Sequence, residues 1–277
     1  MLEGPFGWAM VGATTLGFVV VALGLPLWVG RVDPKLGRAC VWTMVLGLGA
    51  TLGLQALTDV PRPPPALTWL PTPPLGSFPS GHAVLMGIAL AVTAAHHRAT
   101  ALCMLPLAVV VAYSRVELGH HHPVDLWAGA SIGVGLGIAA AGLTYSPRAD
   151  PWRWRWLLWP QLGFVVAITL IAYTGALSGA PWLALPGTDK LLHFLLFGAL
   201  AFGTHFLFRG RSWRGIPLAV ALPLIGALAE ELVQATSPHR TADPIDLLAD
   251  LLGLLVFWRI AAWVSRQRSE PATILGQ

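Results

Sequence analysis

Charge is what this sequence has least of. Asp, Glu, Lys and Arg make up 11 % of its 277 residues, against roughly 25 % in soluble globular chains. A chain so poor in charge cannot cover itself in water, which excludes an ordinary cytosolic enzyme, a disordered segment and a collagen-like fibre. Cysteine is scarce too: Cys40 and Cys103 stand at the ends of apolar runs, read as small membrane-core residues and form no disulfide framework. A basic leader is missing ahead of the first apolar run, which has Glu3 before it and Arg31, Lys35 and Arg38 behind it, so it reads as a span and not as a signal peptide. No internal repeat is visible. What the chain does have is apolar surface, with 55 % hydrophobic residues and a mean hydropathy of +0.67. The net charge of +4 suits an anionic lipid surface better than nucleic acid. The expectation is an all-α, polytopic integral membrane protein.

A helix needs about 20 residues to cross a bilayer. Nine apolar runs approach that length, at about 8–30, 37–57, 80–97, 101–114, 123–144, 156–177, 190–208, 215–234 and 245–264. Basic residues fall in every second connection: Arg31, Lys35 and Arg38; Arg98; Arg148, Arg153 and Arg155; Arg209, Arg211 and Arg214; Arg266 and Arg268. The positive-inside rule makes these cytoplasmic, with the N-terminus outside and the C-terminus inside. Pro147–Trp156, where Trp152, Trp154 and Trp156 alternate with Arg153 and Arg155, reads as an interfacial anchor between a five-span and a four-span bundle. The expected organisation is a membrane domain over 1–147, a Trp/Arg linker over 148–156 and a four-helix membrane domain over 157–277. Gly129, Gly133 and Gly137 put one small-residue face on the fifth span, a packing feature.

Three outward segments of the first bundle carry residues suited to phosphate chemistry. They are Arg62-Pro63, then Pro79-Ser80-Gly81-His82, then Ser114-Arg115 followed by His121 and Asp125. Arginines offer bidentate hydrogen bonds to phosphoryl oxygens. Ser80 and Gly81 open a helix, whose free N–H groups and positive end face an anion. A neutral imidazole can attack phosphorus, and a second imidazole, as imidazolium, can protonate the departing oxygen. His120, His121 and His122 compete for the first role, and Asp125, four residues beyond His121, can orient its ring. Eight prolines between Thr58 and Ser80 make the intervening loop stiff, with Trp69 and Leu70 in the headgroup layer; it is either a rim for lipid entry or a rigid connector.

These segments resemble the type 2 phosphatidic acid phosphatase superfamily, with its pattern K-x6-R-P, P-S-G-H and S-R-x5-H-x3-D, over residues about 37–145. The resemblance implies that His121 is the nucleophile that forms a phosphohistidine and His82 the general acid. It implies that Arg62, Ser80, Gly81 and Arg115 bind phosphate, that Asp125 orients His121, and that no metal or other cofactor is needed. Beside these, His120 and His122 read as solvated loop histidines, with a helping role in binding an anion as the alternative. The lysine of the first motif is replaced by Gln55, which can donate to phosphate but brings no charge. Against the family pattern the chain is expected to begin one span late, in keeping with an outward N-terminus.

The second bundle places further polar groups at outward helix ends. Asp189, Lys190 and His193 open the seventh span, Glu231 and Gln234 close the eighth, and Arg240, Asp243, Asp246 and Asp250 lead into the ninth. Ionisable groups this near a membrane core are costly unless paired. The cluster is either a second polar pocket for a lipid headgroup or an ion-paired network that locks the helices. Its D-K-x2-H, E-x2-Q and R-x2-D-x2-D pieces resemble the VanZ-like family, associated with glycopeptide resistance, over about 157–264. No ligand spacing demands a metal.

Together these readings lead to the expectation of a lipid phosphatase of the bacterial inner membrane, with its site facing the exterior. Undecaprenyl diphosphate is the favoured substrate and phosphatidylglycerol phosphate the next. The rivals are a non-catalytic lipid-binding or lipid-moving protein and a resistance factor acting through the second bundle. The oligomeric state stays open.

Overall fold

Helices form over the apolar runs and are broken by single residues with a local reason to stop them. The computed structural model describes residues 4–67, 70, 72–144, 151–175, 187–236 and 243–267. Glu3, Trp69, Pro71, Pro147, Arg148, Arg240 and Arg268 lie outside the described residues, as does the side chain of Arg153. The first run is continuous from α1 (Pro5–Val19) through a π turn (Val20–Gly24) into α2 (Leu25–Val32). Asp33 ends it by capping α3 (Pro34–Thr58): its carboxylate accepts from the N–H groups of Lys35 (2.9 Å) and Leu36 (3.1 Å). His97 does the same between α4 (Gly81–His96) and α5 (Arg98–Glu117), with Nδ1 accepting from the Thr100 N–H at 3.3 Å. Then come α6 (Pro123–Thr144), a 3-10 turn (Pro151–Leu157), α7 (Leu158–Tyr173), α8 (Thr188–Leu207), α9 (Leu218–Gln234) and α10 (Pro244–Gln267).

The fold is that of an all-α polytopic membrane protein. Seven helical stretches among the described residues are long and apolar enough to cross a membrane, where nine spans were expected. The other two runs do form helices, but α4 has 16 residues and α9 has 17. The only strands among the described residues form a two-residue hairpin between α8 and α9. There Ser212–Trp213 pairs with Ile216–Pro217 across a turn in which Arg214 and Gly215 both have positive φ. The chain divides into two compact units, one of 1–144 with 163–181 and one of 145–162 with 182–277.

In the first unit α4 is the central helix. Nine of its residues are buried, including Val84, Leu85, Met86, Ile88 and Ala89. Its neighbours α1, α2, α3 and α5 turn large apolar side chains such as Leu16, Leu27, Trp42 and Leu102 outward. The Gly129, Gly133, Gly137 face of α6 lies directly on α4. A Cβ at Gly133 would run into the Val84 carbonyl, and one at Gly137 would come within 2.7 Å of Ala91 Cβ. Gly87 returns the contact, 2.6 Å from the Ala130 carbonyl for a Cβ placed there. Two backbones thus meet without side chains between them. Within the same unit Phe78 is fully buried and stacks on Phe164 of α7, with centroids 6.4 Å apart.

In the second unit α8 and α10 make a similar contact, with Gly253 against the Phe194 carbonyl and Gly198 against the Phe257 ring. The tryptophan-rich turn differs from a surface anchor. Trp154 is buried with Phe206 and Ala261, and Trp156 of the same turn is exposed. In a 3-10 turn residues two apart point about 120° away from each other, so Trp154 and Trp156 leave the turn in different directions.

Candidate active site

Four connections meet at one end of the first unit: the end of α3, the proline-rich segment, the start of α4, and the loop from α5 to α6. The α3 end holds the segment that leads into α4. Gln55 Nε2 donates to the Pro79 carbonyl (2.8 Å), and Thr58 Oγ1 donates to the Phe78 carbonyl (3.1 Å). Ser77 N–H donates to the Val60 carbonyl (2.8 Å). Gly76 must be glycine here, because a Cβ would stand 2.8 Å from Val60 N and 2.9 Å from the Gln55 carbonyl oxygen. Gln55, expected at the phosphate, therefore has its donor on the backbone beneath Ser80.

Arg62 is similarly engaged. Its Nε donates to Leu75 O (2.9 Å), Nη2 to Gly76 O (2.9 Å) and Nη1 to His120 O (2.6 Å). Three of its five N–H groups tie the proline-rich segment to the α5–α6 loop. Burial holds its guanidinium below the usual value, opposed by the charge of Asp125. A cavity of about 440 Å³ lies along this segment, lined by Asp59, Pro61, Arg62, Pro64, Pro73 and Leu75 among others.

Arg115 has the opposite character. It lies buried in the last turn of α5, Nη1 reaches Thr14 Oγ1 of α1 at 3.4 Å, and Nε has no partner. Its carbonyl accepts from the N–H groups of both His120 (3.1 Å) and His121 (3.3 Å), and so sets the loop that carries them. Gly119, at φ +68°, makes the turn against the Pro64 carbonyl. Ser80 is fully buried at the start of α4, and its hydroxyl neither caps the helix nor bonds elsewhere. Its N–H donates to the Asp125 carbonyl at 3.0 Å, which joins the α4 and α6 starts. Gly81 follows at the first turn, where N–H groups have no intrahelical partner.

His121 is buried, and its Nδ1 is 2.8 Å from the Ser77 carbonyl. A carbonyl can only accept, so Nδ1 carries the proton and Nε2 presents its lone pair. Asp125 Oδ2 is farther from Nδ1, at 3.6 Å, and accepts instead from the His122 N–H at 2.8 Å. The nearer orienting group is thus a backbone carbonyl that nothing in the sequence signals. Burial, and then the charges of Arg115 and Arg62, hold His121 below the usual imidazole value, while Asp125 opposes them. His82 is part-exposed on α4, 5.1 Å by ring centroid from Phe18 of α1, and within electrostatic range of Arg115, His121 and His120. His122 is exposed, with Nε2 3.1 Å from the Pro61 carbonyl. His120, expected to be solvated, is buried with both ring nitrogens unpartnered. A loop position gives no hint of burial; here the Arg62 and Arg115 backbone bonds turn the loop inward. Thr14 and Phe18 were also missed, since they stand among ordinary apolar residues.

In the second unit the polar cluster is an ion-paired network. Lys190 Nζ lies 2.9 Å from Asp189, 2.5 Å from Asp243 and 2.6 Å from Asp246. His193 Nδ1 is 3.0 Å from Asp250, Glu231 accepts from the Asp243 N–H (3.1 Å), and Gln234 bonds Glu230. The Lys190 ammonium holds Asp243 below the usual carboxylate range. No group of three or more His, Cys, Asp or Glu among the described residues could hold a metal ion.

Residues 36–148 match the family model described as the PAP2 superfamily, and this stretch contains all four connections of the first site. The uncharacterized protein C11E3.10 of Schizosaccharomyces pombe is 34 % identical over 91 residues, which cover 32 % of this chain and 54 % of that protein. The chain thus spans about half the length of the curated relative it matches. No solved structure matches. The comparisons give no evidence for a VanZ-like domain.

Proposed function

We propose that residues 36–148 form a metal-independent phosphatase for lipid phosphates, working through a phosphohistidine. The observation that carries this is the Ser77 carbonyl on His121 Nδ1, which leaves the Nε2 lone pair free, together with the buried, unpartnered Arg115 Nε and Ser80 hydroxyl in the same group of connections. Arg115, Ser80 and the Gly81 N–H hold the terminal phosphate. His121 Nε2 forms a bond to phosphorus as the bond to the lipid oxygen breaks in line, and a protonated His82 gives its proton to that oxygen. Water then attacks the phosphohistidine with His82 as base, which releases inorganic phosphate and restores both rings. Arg62 and Gln55 act from behind the site, holding the backbone that carries Ser80 and His120. Asp125 steadies the same loop and adds charge stabilisation to His121.

Polyprenyl diphosphate is the favoured substrate and a glycerolipid phosphate the next, with the site on the outer face of a bacterial inner membrane. The second unit, read as VanZ-like, is then a partner bundle in the cell envelope. The test is phosphate release from a panel of lipid monophosphates and diphosphates in the presence of a chelator. His121→Ala and His82→Ala should both be inactive; equal release from all three proteins sinks the reading. A non-catalytic lipid-binding role is the second reading, favoured by the engagement of Gln55 and Arg62 with backbone carbonyls. It predicts lipid phosphate binding by the unsubstituted protein with no release.

A further inference from the structure

His120 has no task in that scheme, yet it is buried in the middle of the groups that do. It is 5 % exposed, and neither Nδ1 nor Nε2 has a hydrogen-bond partner. Buried polar atoms are nearly always bonded, so two idle nitrogens on one ring call for an explanation. The backbone that carries the ring is held at both its N–H and its carbonyl. Its N–H donates to the Arg115 carbonyl (3.1 Å) and its carbonyl accepts from Arg62 (2.6 Å). The charged and titratable groups that act on it are Arg115 of α5, Arg62 of the proline-rich segment and His121 of its own loop, with His82 facing it from α4. All four belong to the proposed phosphate site. Two are cations and two are imidazoles; what the ring lacks is an anion.

We propose that His120 is a third phosphate-binding imidazole, which takes up a proton from solvent as the terminal phosphate of the substrate enters and donates an N–H to one of its oxygens. The proposal rests on the phosphatase reading of the same site and extends it. Burial, then Arg115, His121 and Arg62, push His120 down to about 4, so with no anion beside it the ring is neutral at neutral pH. An arriving phosphate reverses the local potential and makes the imidazolium the favoured form. The site thereby gains a positive charge when the anion is present and carries no extra charge when it is absent. This supplies what Gln55 cannot, since its amide is neutral and bonded to Pro79. Unlike a permanent ammonium, the added charge is conditional on the ligand.

The test uses inorganic phosphate as probe, with the purified full chain in detergent. Calorimetric titration in two buffers of different ionisation heat reads the protons taken up on binding. The unsubstituted protein should take up protons beyond the phosphate's own change; in a His82→Asn background, which removes any share of His82, one proton of uptake should remain and His120→Gln should abolish it. Phosphate affinity in His120→Gln should fall about tenfold, the loss of one charge-assisted hydrogen bond. The KM for a lipid phosphate should rise by a similar factor while kcat stays within about threefold. His120→Asn serves if His120→Gln does not fold, and the uptake by the unsubstituted protein needs no variant. Uptake undiminished by both His120 variants in the His82→Asn background, or no uptake by the unsubstituted protein, overturns the proposal, as does failure to bind phosphate. Normal uptake through His120 with no lipid hydrolysis supports the anion site and removes the phosphatase reading instead.

Discussion

Replacing Arg62 separates two ways in which an arginine can serve a phosphate site. As a direct ligand it would be dispensable for folding and costly for KM. As a clamp it holds three carbonyls, those of Leu75, Gly76 and His120, at 2.9, 2.9 and 2.6 Å. Each hydrogen bond from a charged donor contributes about 1.5–3 kcal/mol. Arg62 is part-exposed, so water replaces some of this in Arg62→Ala, and about 3 kcal/mol of lost stability is expected. In thermal unfolding that corresponds to a drop of roughly 6–12 °C. Arg62→Lys keeps the charge but not the planar fork, and should recover only about a third of the loss. Because the clamp fixes the loop that leads directly into His121, kcat should fall along with stability in both variants. The assay is unfolding in detergent beside phosphate release from a lipid phosphate. Unfolding of Arg62→Ala within about 1 °C of the unsubstituted protein, with the whole defect in KM, would refute the clamp.

The remaining predictions concern other parts of the molecule. His121→Ala should lower phosphate release on the order of a thousandfold or more, while Asp125→Asn should lower it about tenfold to a hundredfold, because the Ser77 carbonyl still fixes the ring; equal losses would give Asp125 the orienting role. His121 is held below its ordinary value, so falling pH should protonate the nucleophile and remove activity only below pH 6.5, as read from the acid limb of kcat/KM. The lowered His120 value gives a second pH effect, on stability. That stability is full above about pH 6.5 and should be lost as pH falls toward 4, by about 3 kcal/mol in all, measured by unfolding across that window. Gly133→Ala puts a methyl group into the Val84 backbone and should cost about 2 kcal/mol in unfolding, with no rescue by phosphate. Lys190→Met strands three carboxylates in the second unit and should cost about 3 kcal/mol, while phosphate release per folded molecule stays unchanged.

Much of the helical layout could be read from the chain, because apolar runs, prolines and single polar breakers are local signals. The Gly129, Gly133, Gly137 face pointed to close packing, and Gly133 indeed meets the α4 backbone. The short length of α4 was not legible as a departure from a full span. Hydropathy counts residues in a row, whereas the burial of α4 depends on which helices surround it. The residues gathered at the candidate site were legible for a different reason: each of the three segments carries its own pattern of Arg, His and Ser. What those side chains bond to was not legible. The partners of Arg62 include the His120 carbonyl, far along the chain, and the carbonyl on His121 belongs to Ser77. Backbone carbonyls are the same at every position, so sequence cannot say which one an arginine or a histidine will find. The burial of Trp154 was not legible for a related reason, since periodicity fixes relative direction but not which side is inside.

The glycine-lined contact between α4 and α6 has a mechanical consequence. Ser80 and His82 ride on one of these helices, and Asp125 on the other, with His121 just ahead of it. With carbonyls and Cα atoms touching directly, there are no rotamers to adjust and no gap to close between the two. The pair behaves as a splint, and the spacing of His82 and His121 is inherited from main-chain geometry. Any yielding at this end of the unit is left to the outer helices, such as α1 with Thr14 and Phe18, where side chains rather than backbones make the joint.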